Sequence, residues 1–336
     1  MDERLTRRTM LLSVGAGTAA AGATLASAPQ AAAPTSLKVV SFAGLSNVPI
    51  FAAEKNGLFA KYGLAVDLMF TPNSKSQREG LANGDYQIIH TAADNAVAMV
   101  ELAKEDAVIV VGGDNGFNRI FAQPDIKSLS DLRGKTLVVD APNTAFALLL
   151  YKALKNAGLD GSDYKVHPVG GTPQRLNAML TDKANAAAGI LNPPLSFKAA
   201  ASGLKDMGSA TKAVGDYQSG SVVVMRSWAK TNRDVLIRYI EALVEGYRWL
   251  LDSANKDAAT ALMADRLKLS GDVAAKCYAV VTDPVDGFAK DAKFSMQGFE
   301  NVLKLRAEIE GEWGGHAPAP DKYIDLSYYN AAIAGR

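Results

Sequence analysis

Residues 37–70, LKVVSFAGLSNVPIFAAEKNGLFAKYGLAVDLMF, contain the pattern that decides the fold. An apolar run at 37–40 predicts a strand. Pro49 then suits the first turn of a helix that runs to about Tyr62, because the N–H that proline lacks has no helical partner there. A second apolar run, 65–70, predicts the next strand. Runs without regular polar alternation are typical of a parallel sheet covered on both faces, so we interpret this stretch as a β-α-β unit.

The alternation of strand and helix continues to residue 111 and then starts again. In the first half, helices are predicted through Arg78 and Leu81 and at 93–104, and strands at 86–90 and 107–111. A turn at 130–135 opens the second half, which has predicted strands at 136–140, 165–169 and 186–191 and helices at 144–156 and 173–180. Two such units in succession predict an α/β fold of two lobes, each built on a doubly wound sheet.

The last third is helical, and two short apolar runs connect the lobes. Apolar residues recur at helical spacing over 235–251, and helices also fit 257–267, 272–281 and 297–310. We interpret 120–122 as the outward crossing and 221–225 as the return. Lobe 1 is then 34–118 and 224–336, and lobe 2 is 119–223. Two crossings form a hinge, and hinged lobes close on whatever binds between them.

The first 33 residues resemble an export signal. The paired arginines Arg7 and Arg8 precede an apolar run that reaches Ala26, and small-residue cleavage sites follow at 26–28 and 31–33. This order is typical of a cleaved signal, and the adjacent arginines favour the twin-arginine route. The alternative is a membrane anchor, but the run contains Gly, Ser and Thr and is weakly hydrophobic. We therefore expect a soluble protein in the periplasm.

Composition excludes several classes of function. The chain has 36 basic and 35 acidic side chains, and the predicted signal holds three of the basic and two of the acidic ones, so 33 of each remain. No basic stripe with interleaved aromatic residues is present, which argues against nucleic acid as a partner. A single cysteine, Cys277, and three separated histidines exclude an internal disulfide and offer no metal motif. We expect no metal and no cofactor.

Four segments resemble a known family in the order in which the family carries them. They are PIFAAEKNGLFAKYGLAV at 49–66, LANGDYQ at 81–87, LSDLRGKT at 129–136 and LKNAGL at 154–159. Together they are similar to the periplasmic substrate-binding proteins of ABC importers, in the branch that includes nitrate, sulfonate, taurine and thiamine-pyrimidine binders. Gln87 and Asn185 depart from the pattern, because the family usually carries aspartate at those positions.

The resemblance implies a two-lobed periplasmic binding protein fold of the Venus-flytrap type. It also implies a monomer that captures a small polar or anionic organic molecule of the sulfonate, nitrate, carboxylate or pyrimidine class. Such a protein delivers its solute to an ABC permease of the inner membrane and has no catalytic role. Which solute is bound stays open at this point.

Candidate ligand-binding residues follow from the predicted topology. In open α/β lobes, ligands bind beyond the carboxyl ends of the strands, where helix N-termini present free backbone N–H groups. Short polar side chains at these positions have an alternative role as helix caps. The candidates are Ser41, Phe42, Asn47, Ser74, Thr91, Asp94, Asn95, Asn118, Asn143, Thr144, Gly171, Thr172 and Asn192.

Two alternative functions use the same scaffold. One is an enzyme, either a carbon–sulfur hydrolase-like protein with a cysteine nucleophile or a protein that uses a histidine in pyrimidine synthesis. Cys277 falls among Val273, Val280 and Val281 in a late helical stretch, which predicts a buried and inert thiol. The other alternative is a solute sensor that presents its closed form to a signalling receptor.

Overall fold

A computed structural model describes residues 33–284 and 286–334. The predicted export signal at 1–33 lies outside these residues except for Ala33. The strands are β1 Thr35–Ser41, β2 Leu64–Phe70, β3 Ile88–Ala92, β4 Ala107–Val111, β5 Arg119–Ala122, β6 Thr136–Val139, β7 Lys165–Pro168, β8 Ala188–Leu191, β9 Lys205–Ser209 and β10 Gly220–Met225. The helices are α1 Val48–Lys55, α2 Leu58–Lys61, α3 Ser74–Asn83, α4 Ala93–Glu101, α5 Ala145–Asn156, α6 Thr172–Thr181, α7 Leu195–Ala201, α8 Arg226–Thr231, α9 Arg233–Leu251, α10 Lys256–Leu267, α11 Gly271–Val281, α12 Met296–Glu310 and α13 Ser327–Ala334.

The strands form two five-stranded sheets with flanking helices, so the predicted α/β fold class is confirmed. The first sheet has the order β2-β1-β3-β10-β4 and the second β7-β6-β8-β5-β9. Both sheets are mixed and not purely parallel, because the crossing strands enter against the others. β10 is antiparallel to β3 and β4, and β5 is antiparallel to β8 and β9.

The chain passes between the sheets twice, after β4 and before β10. Residues 112–118 lead outward to β5, and residues 210–219 lead back to β10. Residues 220–223, which the sequence interpretation assigned to lobe 2, form the start of β10 in the first sheet.

One predicted element differs in the structure, and four elements were not predicted. The helix expected from Pro49 to Tyr62 is two helices, because Gly57 between them adopts a left-handed conformation with φ of 65°. β9 was not predicted, since Lys205–Ser209 lacks an apolar run and none of its residues is fully buried. The short helices α7, α8 and α13 were also missed.

Helix α12 is packed between the two halves of the molecule. It contacts α4, which follows a strand of the first sheet, and α5, which follows a strand of the second. Phe299 and Leu303 of this helix belong to an apolar core that contains Ile89 from the first sheet and Leu148 from the second unit. One continuous core therefore reaches both sheets and brings the carboxyl ends of their strands close together.

No helix within 33–284 or 286–334 is long and apolar enough to cross a membrane.

Candidate functional site

A cavity of about 390 Å³ lies between the two sheets, at the carboxyl ends of their central strands. The loops after β1, β2 and β3 and the crossing segment 112–118 form one side. The first turns of α5 and α6 and the residues after β8 form the other. Nine of the predicted residues line this cavity: Ser41, Phe42, Ser74, Thr91, Asn95, Thr144, Gly171, Thr172 and Asn192.

Two of the remaining candidates, Asn47 and Asn118, do not line the cavity, and both polar side-chain atoms of Asn118 are buried without a partner among the described residues. The Asn47 Nδ2 donates to the carbonyl oxygen of Phe42 at 2.5 Å, so this side chain shapes the loop that carries Phe42. Asn118 is buried next to Gly116, where an added Cβ would lie 2.5 Å from the Asn118 Nδ2. The structure therefore places neither of these two candidates in the cavity wall.

Asp94 and Asn143, the last two candidates, lie on the far side of the helix N-termini. The Tyr217 hydroxyl donates to the Asp94 carboxylate at 2.5 Å, and an Arg306 nitrogen lies 3.8 Å from it. The same guanidinium donates to the carbonyl oxygen of Asn143 at 3.2 Å. Asp94 follows Ala93 in the first turn of α4, so its side chain points about 100° away from the face that carries Asn95. It therefore pairs with α12 and does not reach the cavity.

A hydrogen-bonded chain of short polar residues forms the first-sheet side of the cavity. The Asn95 Nδ2 donates to the Thr91 Oγ1 at 2.7 Å and to the Ser74 Oγ at 3.2 Å. The Ser74 hydroxyl in turn donates to the Asp140 carboxylate, which follows β6 of the second sheet. The Asn95 Oδ1 is buried and has no partner among the described residues. This oxygen is therefore available to accept a hydrogen bond from a ligand.

The second-sheet side contains a buried cation behind a polar surface. The Thr172 hydroxyl donates to the Asn192 Oδ1 at 2.7 Å and accepts from Arg175 at 2.9 Å. The Arg175 guanidinium also donates to the carbonyl oxygens of Ile190 and Gly170 and lies 4.3 Å above the centre of the Phe146 ring. Arg175 is fully buried, and this burial lowers its pKa to about 10. Arg175 does not itself line the cavity, and its guanidinium contacts the lining residues Thr172 and Phe146 from behind.

Aromatic rings surround the polar groups. The rings of Phe42, Phe70, Phe117, Phe146 and Tyr247 line the cavity, and the Phe70 side chain is 50% exposed at its edge. The other rings are buried or half-buried. Such walls favour a ligand with a flat apolar part, because aromatic pairs contribute beyond the area that they bury.

His90, the predicted last residue of a strand, also lines the cavity. Its Nε2 lies 2.7 Å from the Tyr239 hydroxyl, and burial lowers the pKa of the imidazole to about 4. The ring is therefore neutral at physiological pH.

Asp114 supplies an acid to the cavity wall. Its Oδ1 accepts from the backbone N–H of Gly116 at 2.7 Å, and Ser46 and Gly220 are further hydrogen-bond partners. The side chain is 6% exposed. Burial raises the pKa of this carboxyl, although the hydrogen bonds act in the opposite direction. The carboxylate forms no ion pair with another described residue.

Several lining residues were missed or were not singled out from the sequence. Phe70 and His90 end predicted strands, so the rule that selected Ser41 could have found them. Asp114 lies in the crossing segment 112–118, just before the predicted outward crossing at 120–122, and the sequence analysis gives this carboxylate no role. Phe146 lies inside a helix, and no sequence signal separates it from a core residue.

The charge pattern of the cavity is distinctive. Of the described residues that line it, none is a lysine or arginine, and Asp114 is the acid. The described residues also contain no cluster of His, Cys, Asp and Glu that could hold a metal ion.

Three polar contacts join the two halves around the cavity. Ser74 donates to Asp140, and the backbone N–H of Gly171 donates to the carbonyl oxygen of Pro72 at 3.1 Å. Arg306 donates to the carbonyl oxygen of Asn143. These three hydrogen bonds can form only when the two halves lie close together, so the cavity has this shape only in a closed arrangement.

Comparison with known proteins identifies the family. A family model described as "NMT1/THI5 like" matches residues 46–256, which include both crossings and most of the cavity lining but begin after residues 41–45. The chain belongs to the NMT1/THI5-like family. The family resemblance inferred from the four sequence segments is confirmed.

A curated relative of this NMT1/THI5-like protein has a name of the kind that the resemblance implies. A curated protein of Brachyspira hyodysenteriae, named an ABC transporter periplasmic binding protein, is 28% identical over 229 residues. The aligned segment covers 63% of this chain and 64% of that relative, so the chain matches less than two thirds of its length.

Solved structures share the fold at low identity. The periplasmic nitrate-binding protein of Synechocystis PCC 6803 has a TM-score of 0.73 at 13% identity, with coverage of 90% of this chain and 89% of that chain. The alkanesulfonate-binding protein of Xanthomonas axonopodis pv. citri, solved with bound MOPS, has a TM-score of 0.68 at 15% identity, with coverage of 87% and 97%. These likenesses establish the periplasmic binding protein fold.

Proposed function

We propose that this NMT1/THI5-like protein is an exported solute-binding protein. It captures a small polar organic molecule between its two lobes and delivers it to the permease of an ABC importer in the inner membrane. The observation that carries the proposal is the 390 Å³ cavity, to which both sheets contribute helix N-termini and short hydroxyl and amide side chains. The name of the Brachyspira relative and the nitrate and alkanesulfonate binders with the same fold support it.

The chemistry of the cavity suits reversible binding. A typical hydrogen bond contributes about 0.5–1.5 kcal/mol net, so useful affinity needs several bonds and burial of apolar surface. Thr91 and Asn95 offer such bonds from the first half, and Thr172 and Asn192 offer them from the second. Only a closed arrangement makes the full set, which couples binding to closure. In this proposal the lobes keep their expected bounds, 34–118 with 224–336 for lobe 1 and 119–223 for lobe 2, except that residues 220–223 join lobe 1 as the start of β10.

Catalysis by cysteine has little support in the structure. Cys277 is fully buried in α11, it does not line the cavity, and burial raises the pKa of its thiol to about 12. A nucleophilic cysteine needs a thiolate that substrate can reach. His90 does line the cavity, but its Nε2 is occupied by the Tyr239 hydroxyl. We therefore propose binding without conversion of the solute.

The test is a thermal-shift screen followed by recovery of the ligand. Purified protein without residues 1–33 is screened against sulfonates, nitrate, carboxylates and nitrogen heterocycles. A ligand that binds only the folded state raises the melting temperature in a concentration-dependent manner. We expect one class to stabilise the protein and mass spectrometry to recover that ligand unchanged. Conversion of the ligand by the purified protein contradicts the proposal. A second assay distinguishes the permease from a signalling receptor. Stimulation of the ATPase of the reconstituted importer by the closed form supports the permease, and its absence favours the receptor.

A further inference from the structure

The carboxylate of Asp114 is a group in the cavity that neither the family nor the proposed function explains. We propose that Asp114 determines specificity by accepting a hydrogen bond from an N–H group on the solute, so that the site takes a flat amine, amidine or N–H-bearing heterocycle in preference to an anion. This inference rests on the proposed function, because it names the solute class of the same cavity.

The first argument is the cost of burying this acid. Asp114 is 6% exposed, and it forms no ion pair with a described residue. Its hydrogen-bond partners, the backbone of Gly116 and Gly220 and the hydroxyl of Ser46, are all neutral. Buried carboxylates are normally paired with a cation or neutralised, because desolvation of an isolated charge is costly. A solute N–H group, charged or neutral, supplies the missing partner from the open side of the carboxylate.

The second argument is the way in which the fold makes room for the side chain. A Cβ on Gly220 would collide with the Asp114 Oδ2, and Gly220 begins the return strand β10. The N–H groups of Ser219 and Gly220 meanwhile donate to the Asp114 carbonyl oxygen at 3.1 and 2.9 Å. Backbone of both crossing segments therefore holds this residue in one place. A carboxylate fixed in this way gives directional selection of a donor.

The third argument is the surrounding charge. No lysine or arginine is present among the described lining residues, and His90 is neutral at physiological pH. Arg175 is the buried cation near the cavity, but its guanidinium is covered by Thr172 and Phe146 and also interacts with Asp140. An anionic solute would consequently lie next to the Asp114 carboxylate, whereas Thr172 and Phe146 would separate it from the Arg175 guanidinium. A donor group with a flat apolar body meets both Asp114 and the aromatic walls favourably, and cations are attracted to aromatic faces.

The experiment uses three probes of the same shape that differ in their polar group: benzamidine, benzamide and benzoate. Affinities are measured by isothermal titration calorimetry at neutral pH for the mature protein and for Asp114→Asn. The matched control is Asp125→Asn, which removes an exposed acid outside the cavity. Asparagine keeps an oxygen that can accept from Gly116, and melting temperatures establish that each variant is folded.

We expect benzamidine to bind the parent protein about tenfold or more tightly than benzoate, as one charge-assisted hydrogen bond allows. Asp114→Asn should weaken benzamidine by about tenfold and leave benzoate unchanged or improved, and Asp125→Asn should change neither. Should Asp114→Asn fail to fold, the relative affinities of the three probes for the parent protein decide the question, and benzamidine is expected to bind more tightly than benzoate.

Two results overturn the inference while the proposed function survives. One is that benzoate binds the parent protein as well as benzamidine. The other is that none of the probes binds at about 10 mM, a concentration that reveals even weak binding, while the thermal-shift screen finds a solute that has hydrogen-bond acceptors but no N–H donor. If no solute of any class stabilises the protein, the proposed function fails together with the inference.

Discussion

The hydrogen bond between Ser74 and Asp140 gives the most informative prediction, because it joins one half of the molecule to the other at the edge of the cavity. Ser74→Ala removes the donor and leaves the Asp140 carboxylate without it. Asp140 is only 4% exposed, and its Oδ1 already has no partner among the described residues. The variant therefore measures the free-energy cost of leaving a buried carboxylate without this hydrogen bond.

The magnitude follows from the charge of the acceptor. A hydrogen bond to a charged group contributes about 1.5–3 kcal/mol, which corresponds to a change of roughly 10- to 150-fold in an equilibrium constant. The bond exists only when the two halves are close, and in an open form water can reach Asp140. The loss should therefore appear mainly in the affinity for solute. The stability of the unliganded protein should change by less.

The assay is a double-mutant cycle measured by calorimetry with the solute found in the thermal-shift screen. Ser74→Ala, Asp140→Asn and the double variant are compared with Ser76→Ala, an exposed serine of the same helix. We expect a coupling of about 1 kcal/mol or more between Ser74 and Asp140 and no effect of Ser76→Ala. Unchanged affinity together with a loss of about 1.5–3 kcal/mol of unliganded stability would refute the reasoning, since the bond would then be a fixed part of the fold.

Three further predictions concern burial and export. Arg306→Met should cost about 3–5 kcal/mol in urea unfolding at pH 8, because it leaves the buried Asp94 without its cation. Burial already raises the pKa of Asp94 above its value in the unfolded chain. Protonated Asp94 therefore stabilises the folded state in acid, and this contribution is lost as the pH rises through the folded-state pKa. The penalty in the variant should consequently shrink at pH 5, and an equal penalty at both values would contradict this assignment. Cys277→Ala should bind solute with parental affinity, and Cys277 should resist iodoacetamide at pH 8 until urea unfolds the protein, because its thiol is buried; a loss of binding on substitution would reopen the enzyme alternative. Replacing Arg7 and Arg8 with lysine should retain the precursor in the cytoplasm, as cell fractionation would show, and normal export would remove the twin-arginine assignment.

Much of the fold could be predicted because its central strands are buried on both faces. Val39 and Ile89 are fully buried, and their apolar runs mark β1 and β3 without ambiguity. β9 escaped because its residues are mixed in polarity and Gly208 interrupts it with a positive φ of 109°. The break between α1 and α2 depends on Gly57, whose left-handed conformation ends one helix where the apolar periodicity continues.

The site was harder to predict, because position in a helix does not tell which way a side chain points. Thr91 lies in β3 and Asn95 in the first turn of α4, and their side chains are hydrogen-bonded to each other in the cavity wall. Asp94 is next to Asn95 in sequence, yet it pairs with Arg306 of α12, more than 200 residues later. Contacts of that range are set by the packing of α12 between the two halves, and local pattern contains no information about them.

The most direct test of the central claim is a crystal structure of the mature protein with the solute that the screen identifies. The account predicts electron density for that solute between the two sheets, within hydrogen-bond distance of Thr91 or Asn95 on one side and of Thr172 or Asn192 on the other. Its flat part should lie against Phe146. Density for the solute elsewhere, such as in the open groove lined by Lys212 and Arg248, with this cavity empty, would contradict the account.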